Sequence, residues 1–361
     1  MFLISFCSCI SQEFKYKSTN HDFESFKQNR GNEVRIVDYL PKNYVKDSSV
    51  DYTKYVQLAL DENKDVIFPN FPILINDNGI VLSSNTNIYF DVNSKLILKQ
   101  SSKESYSMLK IYNVENVNLF NVHLVGDRYQ HIGSEGEWGM GIRIQNAKNI
   151  NIYNSTIRDM WGDGIYITSF GNTSNQNILI QSSWIDNTRR NGISIISGED
   201  INIDYVKISN TNGTAPASGI DIEPNNTSNK VKNIILSNII TYNNQRDGIV
   251  LDFTNLVHDG GINEVKVTIN NHIDIGSNYG LFLAGFRKLN KGSRPLEGEI
   301  VIKNVNWIGS RSNNALRIGK GSEYFPDVIF ENVIIENLKQ DNKIGVLKGI
   351  IKEKGNFFLQ K

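Results

Sequence analysis

From about residue 110 onward, apolar and polar positions repeat one phrase: an apolar-x-apolar pair, a short polar turn, more apolar residues and another turn. The pair recurs as Val117/Leu119, Ile150/Ile152, Ile178/Ile180, Ile201/Ile203, Ile234/Leu236, Val265/Val267, Ile300/Ile302 and Val328/Phe330. Period-two alternation marks strands with one buried face. Successive pairs are 23 to 35 residues apart, which leaves no room for a long crossover helix between them. A second phrase follows in each copy: Gly141-Ile-Arg-Ile144, Gly164-Ile-Tyr-Ile167, Gly192-Ile-Ser-Ile195, Gly219-Ile-Asp-Ile222, Gly248-Ile-Val-Leu251, Gly280-Leu-Phe-Leu283 and Ala315-Leu-Arg-Ile318. Stacked repeats of this kind bury one continuous column of Ile, Leu and Val, as in a solenoid. The pattern predicts an all-β fold, a single-stranded right-handed parallel β-helix.

Before the repeats, Asp51 to Leu60 carries apolar residues at helical spacing, with Asp51 or Thr53 as N-cap. A short helix there would cap the open end of the apolar column, which otherwise exposes unpaired strands. The expected organisation is a leader at 1–12, an N-terminal extension at 13–50, and one β-helix domain at 51–361 including its helical cap. Phe2 to Ile10 is an apolar run too short for a membrane span. It resembles the tail of a secretion signal, and Ser8 before Cys9 also admits lipid attachment at that Cys. The expected location is secreted, periplasmic or lipid-anchored at the cell surface. Both Cys fall in this leader, so no disulfide and no thiol nucleophile is expected in the mature chain.

Composition changes this picture little. Asn, Ile and Ser are abundant, which suits short strands joined by Asn-bearing turns. The 38 Lys and Arg balance 38 Asp and Glu, so the overall footprint of a nucleic-acid binder is absent.

In the second phrase, alternation turns the residue between the inward pair outward, giving the column Arg143, Tyr166, Ser194, Asp221, Val250, Phe282 and Arg317. Two residues further on, the next column contains Glu223 and Asp252, and the residue before each Gly gives a third with Asp163, Asn191 and Asp247. With coils about 4.8 Å apart, Asp221, Glu223 and Asp252 should lie within about 5–8 Å of one another. Three such carboxylates either share protons, which suits general acid and base chemistry, or hold a hard cation such as Ca²⁺. A solvated polar ladder would carry the same residues without function.

Gly126 to Gly139 is too long for a tight turn and should project as a loop carrying Arg128, His131, Glu135 and Trp138. His131 is a catalytic candidate and equally a plain loop residue. Trp161, Tyr166, Arg189 and Arg190 lie on adjacent coils, where aromatic rings can stack on sugars and Arg can pair with acidic groups. With Arg128, Glu135, Trp138, Arg143 and Asp247 they form the expected substrate-binding set around the catalytic candidates Asp163, Asp221, Glu223, Asp252 and His131.

The helix, the strands that follow it and the repeats resemble the pectate-lyase-like superfamily of β-helix carbohydrate-active proteins over about residues 35 to 345. Gly219-Ile-Asp-Ile-Glu223 resembles the Gly-Phe-Asp-Pro-His signature of mannuronan epimerases, with Asp221 matching the Asp and Glu223 in place of the His. Asp163 matches a catalytic Asp of polygalacturonases, but Asn191 replaces the His of that family and no Arg-Ile-Lys tripeptide is present. The resemblance implies a secreted enzyme that cleaves a polysaccharide, as glycoside hydrolase or polysaccharide lyase; the alternatives are a non-catalytic glycan-binding or adhesion β-helix and an epimerase of uronate polymers. The expected partner is a polysaccharide, with uronate required for elimination, and neither nucleic acid nor a transmembrane span is expected.

Overall fold

The computed structural model describes residues 33–336 and 356–360, except 172, 258–262, 287, 288, 290, 291 and 313. The expected leader, and with it Cys9, lies outside the described residues. The chain is a parallel β-solenoid, and among the described residues its strands fall into an 18-stranded and a nine-stranded sheet, both with every strand pairing parallel. The nine-stranded sheet runs through Ile80–Val81, Ser105–Tyr112, Trp138–Gln145, Ile165–Thr168, Ile193–Ile195, Ile220–Ile222, Asp247–Leu251, Tyr279–Leu283 and Leu316–Ile318. These are the strands of the second repeated phrase, preceded by two more. The first repeated pairs lie in the larger sheet, where Val117, Ile150, Ile178, Ile201, Ile234, Val267, Ile300 and Val328 stack in one file. Val267 stands where the spacing placed Val265, because a bulge shifts the register between Val231 and Ile234.

The coils bend at corners whose residues adopt left-handed backbone. One file of such residues is Asn85, Asn116, Asn149, Asn177, Asp200 and Asn233, with φ between 55° and 61°. Asn and Asp tolerate this region better than other side chains with a Cβ. Here the amides also bond from coil to coil: Asn116 Nδ2 donates to Asn85 Oδ1 (2.8 Å), Asn149 to Asn116 (2.9 Å) and Asn177 to Asn149 (2.9 Å).

The glycine of the second phrase has a different role. At Gly280 an added Cβ would lie 2.5 Å from the Trp307 ring, and at Gly164 it would lie 2.5 Å from Ile185 Cγ2 and 2.7 Å from the Gly192 carbonyl oxygen. The strand passes so close to the opposite wall that no side chain fits.

One apolar core runs from Ile36 to Phe357. At its N-terminal end the helix Thr53–Glu62 buries Val56, Ala59 and Leu60 and packs beside the Ile80–Val81 strand, as expected of a cap. Asp51 accepts the Thr53 N–H at 2.9 Å, which satisfies one donor of the first turn. No helix among the described residues is long and apolar enough to cross a membrane.

The Gly280→Ala substitution is expected to destabilise the fold by about 1–3 kcal/mol through overpacking against Trp307. A urea melt followed by tryptophan fluorescence would show a lower midpoint with an unchanged slope.

Candidate active site

The outward column of the nine-stranded sheet forms as the alternation places it: Arg143, Tyr166, Ser194, Asp221, Val250, Phe282 and Arg317 pair in direct succession. Its middle is polar and buried. Asp163, Asn191, Ser194, Ser218 and Asp221 are all at most 1% exposed although they lie outside the solenoid core.

Asp163 is the hub. Its Oδ2 accepts from Arg190 Nη1 (2.9 Å) and Ser194 Oγ (2.7 Å), and its Oδ1 accepts the Asn191 N–H (2.9 Å). Burial pushes its pKa up, with Arg190 opposing. The Arg190 and Asn191 N–H groups can only donate, and they favour the carboxylate against that rise. Burial works against the charge on Arg190, but Asp163, Asp221 and Glu137 outweigh it and hold the guanidinium protonated. Arg190 Nε lies 3.5 Å from Glu137 Oε2.

Asn191 connects this ion pair to Asp221. Its Oδ1 accepts the Ser218 N–H (3.0 Å), which fixes the amide so that Nδ2 donates to both Ser194 Oγ and Asp221 Oδ2, each at 3.0 Å. Burial and then the charge of Glu223, with Asp163 and Asp252 adding, hold Asp221 well above the usual carboxylate range. Burial and then Asp252 raise Glu223 as well, while Arg190 and a hydrogen bond with Asp221 oppose the rise. Neighbouring carboxyls that raise one another in this way have linked titrations. Glu223 is the more accessible member.

Asp252 turns Oδ1 onto its own chain, accepting the Thr254 N–H (3.0 Å) and Oγ1 (2.6 Å). Among the described residues no three His, Cys, Asp or Glu side chains converge on a cation-sized site. Asp221, Glu223 and Asp252 therefore do not make the Ca²⁺ cage their spacing allowed, since Asp252 is partly spent on Thr254 and the other two on each other. Asp247, one coil beyond Ser218, is pushed up to about 6 by burial, with Arg246 and Arg317 opposing.

The segment 126–139 does not project freely. Asp127 is fully buried and holds the Tyr106 hydroxyl, His131 Nδ1 (2.8 Å) and the Ser101 N–H (3.0 Å). His131 stacks on Trp161 at 4.0 Å, and Arg189 covers Trp161 at 3.8 Å while donating to the carbonyls of Gly136 and Ser134. Arg128 donates to the backbone and side-chain oxygens of Asn187 and Asn212. Thus His131, Arg128, Trp161 and Arg189 tie the segment down, and its end, from Trp138, continues as a strand. Glu137 reaches the Asp163 hub, Glu135 is exposed and Trp138 is 43% exposed. Arg143 lies three coils and Tyr166 two coils before Asp221, among aromatic rings.

Beyond the acidic middle the outward column becomes apolar, with Val250, Phe282 and Ala284 forming a small cluster of their own. The core shows the converse. In the inward file that runs Ile157, Ile185, Ile208, the next members are Thr241, Asp274 and Trp307. Trp307 Nε1 donates to His272 Nδ1 (3.3 Å), so the neutral ring carries its proton on Nε2, facing Thr241 Oγ1 (2.8 Å), which in turn donates to Asp274 Oδ1 (2.7 Å). Burial lowers His272 to about 3 and raises Asp274 to about 7.

No family model matches the chain. It is 32% identical over 160 residues to the uncharacterized protein YclG of Bacillus subtilis, covering 40% of this chain and 27% of that protein. It is 33% identical over 88 residues to the SPbeta prophage-derived uncharacterized protein YorA of Bacillus subtilis, covering 22% and 15%. The aligned stretches thus span about a quarter or less of the curated relatives. Among solved structures, the mannuronan C-5 epimerase AlgE6 A-module of Azotobacter vinelandii superposes with TM-score 0.57 at 11% identity, covering 90% of this chain and 97% of that one. The surface protein and adhesin PfbA of Streptococcus pneumoniae gives 0.57 at 13% identity, covering 91% and 98%. A double mutant of the E. coli bacteriophage HK620 tailspike, in complex with pentasaccharide, gives 0.60 at 12% identity, covering 84% and 57%. Fold and neighbours define the class: this is a parallel β-helix protein.

Because Asp221 and Glu223 titrate above their unfolded values, they contribute stability that is present at low pH and lost as pH rises through their folded pKa. The Asp221→Asn variant is therefore expected to melt at a higher temperature than the parent at pH 8, with the gap closing by pH 5. Scanning calorimetry across that range checks this.

Proposed function

We propose that this protein is a glycoside hydrolase acting on a polysaccharide laid along the outer face of the nine-stranded sheet. The observation that carries the reading is the neighbouring carboxyls of Asp221, buried, and Glu223, half-buried, at the middle of that face, tied through Asn191 to the Asp163–Arg190 ion pair.

A glycosidic bond is hydrolysed when an acid protonates the leaving oxygen and a second carboxylate assists water or stabilises the cationic sugar. Glu223 is the accessible member of the pair and serves as the acid, with Asp221 beneath it keeping the proton in place. Asp252 faces the same group of charges and supplies the carboxylate. Asp163 is enclosed by three donors and acts through Asn191 and Ser194 as a positioning residue.

Elimination fits less well. It needs a free base beside the sugar and a cation for the substrate carboxylate. Burial favours the protonated form of the carboxyl pair and of the Tyr166 phenol, His131 is stacked on Trp161, Arg190 is committed to Asp163 and Glu137, and Arg143 stands three coils from Asp221. The polysaccharide-handling neighbours among parallel β-helix proteins support a glycan partner, and a polymer of that kind is met outside the cell, in keeping with the leader proposed for residues 1–12.

The test is a panel of neutral and uronate-containing polysaccharides assayed together for reducing ends and for the absorbance of unsaturated ends. Reducing ends without absorbance are expected, and Asp221→Asn and Glu223→Gln should each lower turnover by about 10²–10⁴-fold. Unsaturated ends would replace hydrolysis by elimination. Binding without either signal would leave the adhesin reading, and inverted C5 stereochemistry without cleavage would leave the epimerase reading.

A further inference from the structure

The guanidinium of Arg143 lies 5.6 Å from the Tyr112 ring centre, 5.7 Å from Tyr166 and 5.8 Å from Phe170. Contacts of this kind satisfy none of the guanidinium N–H donors by hydrogen bonding. Among the described residues Arg143 has no ion pair and no hydrogen bond, and its Nε is buried without a partner. A charged group in that state is unusual, because a buried donor normally finds an acceptor. The other arginines near the site are committed: Arg128 to Asn187 and Asn212, Arg189 to backbone carbonyls, Arg190 to Asp163.

The surroundings add positive charge. Lys110 pairs with Arg143 in register on the preceding strand and donates to the Asn78 carbonyl at 2.6 Å. Burial, Lys103 and Arg143 together lower the Lys110 pKa. Phe170, 60% exposed, presents an open ring at the outer side of the cluster.

Arg143 also lies on the same outward file as Asp221. The file runs Arg143, Tyr166, Ser194, Asp221, so three coil spacings of about 4.8 Å place them roughly 14 Å apart along the solenoid axis. A polymer lying along that axis meets both.

We propose that Arg143, walled by Tyr112, Tyr166 and Phe170, is a subsite for an oxyanion-bearing sugar, so that the polymer cleaved at Asp221 and Glu223 is an acidic glycan anchored about three coils away. The inference rests on the glycan-cleaving reading for its catalytic half only. The edge of the guanidinium takes the carboxylate or sulfate in a bidentate pair, and an aromatic ring takes the apolar face of the pyranose.

The experiment measures binding by calorimetry with the full chain carrying Asp221→Asn, so that polymer is not consumed. The probes are polygalacturonate, alginate and hyaluronan, each beside its carboxyl-reduced neutral form, with heparin as the sulfate arm. At least one charged polymer should bind about tenfold or more tighter than its neutral counterpart, and adding Arg143→Gln should remove that difference while leaving the melting temperature and neutral-polymer binding in place. Arg143→Lys should restore charge but only part of the affinity, since Lys lacks the planar fork. Preference for heparin over all carboxylates, lost with Arg143→Gln, assigns the oxyanion as sulfate.

Equal binding of every charged and neutral pair overturns the proposal, as does an Arg143→Gln loss that is the same for both forms. Arg143-dependent binding by a parent protein that cleaves nothing would sustain the subsite and sink the hydrolase. Cleavage of charged and reduced polymers alike would do the reverse.

Discussion

The structure depends on each coil ending at the same place as the one before it, because parallel pairing of short strands leaves no freedom to correct a slip. That condition is met at the corners. A left-handed residue recurs in fixed files, as in Asn85, Asn116, Asn149 and Asn177, or Asn121 and Asn154, and each file turns the chain through the same angle at the same height. Left-handed backbone is unfavourable for residues with a Cβ, least so for Asn. The coil-to-coil amide bonds offset that penalty, so the local strain and the long-range register are settled by the same side chain. Close approach at Gly164 and Gly280 then sets the width of the solenoid opposite.

A rigid stack of this kind makes an acidic site possible. Asp221 and Glu223 lie on one coil and Asp163 two coils before them, and carboxylates gathered this closely repel as soon as they ionise. A flexible surface would let them move apart into water. Here the backbone positions are held by pairing on both sides, and the repulsion is expressed in protonation instead. Arg190, Asn191 and Ser194 divide the group into a hub at Asp163 held by donors and a neighbouring pair, Asp221 and Glu223, whose carboxyls titrate high.

Much of the fold was legible in the sequence. The repeated Gly-Ile-x-Ile phrase gives strand, face and coil in one reading, and every outward residue taken from it pairs as expected. The carboxylates of the site were legible for the same reason, as members of outward columns. Their partners were less so. Ser194 and Asn191 lie in the same columns but carry no acid chemistry to draw attention, and only contact with Asp163 and Asp221 gives them a role. The segment 126–139 differs in posture from what its sequence suggests: density of His, Arg and Trp points to a projecting loop, whereas Asp127, at its base, binds Tyr106 and His131 and folds it flat. The polar core cluster of Thr241, His272 and Asp274 was hidden because alternation marks a position as inward without saying what satisfies it there.

The amide ladders have a direction. In each bond the Asn of the later coil donates and that of the earlier coil accepts, so the side-chain dipoles of a file point the same way along the axis. An Asp in such a file still accepts from the coil after it but cannot donate to the coil before it. Asp200, which receives Asn233, is a break of this one-sided kind. Ageing of the chain by deamidation would act in the same manner: each event cuts the file on one side only, leaving shorter ladders of unchanged polarity.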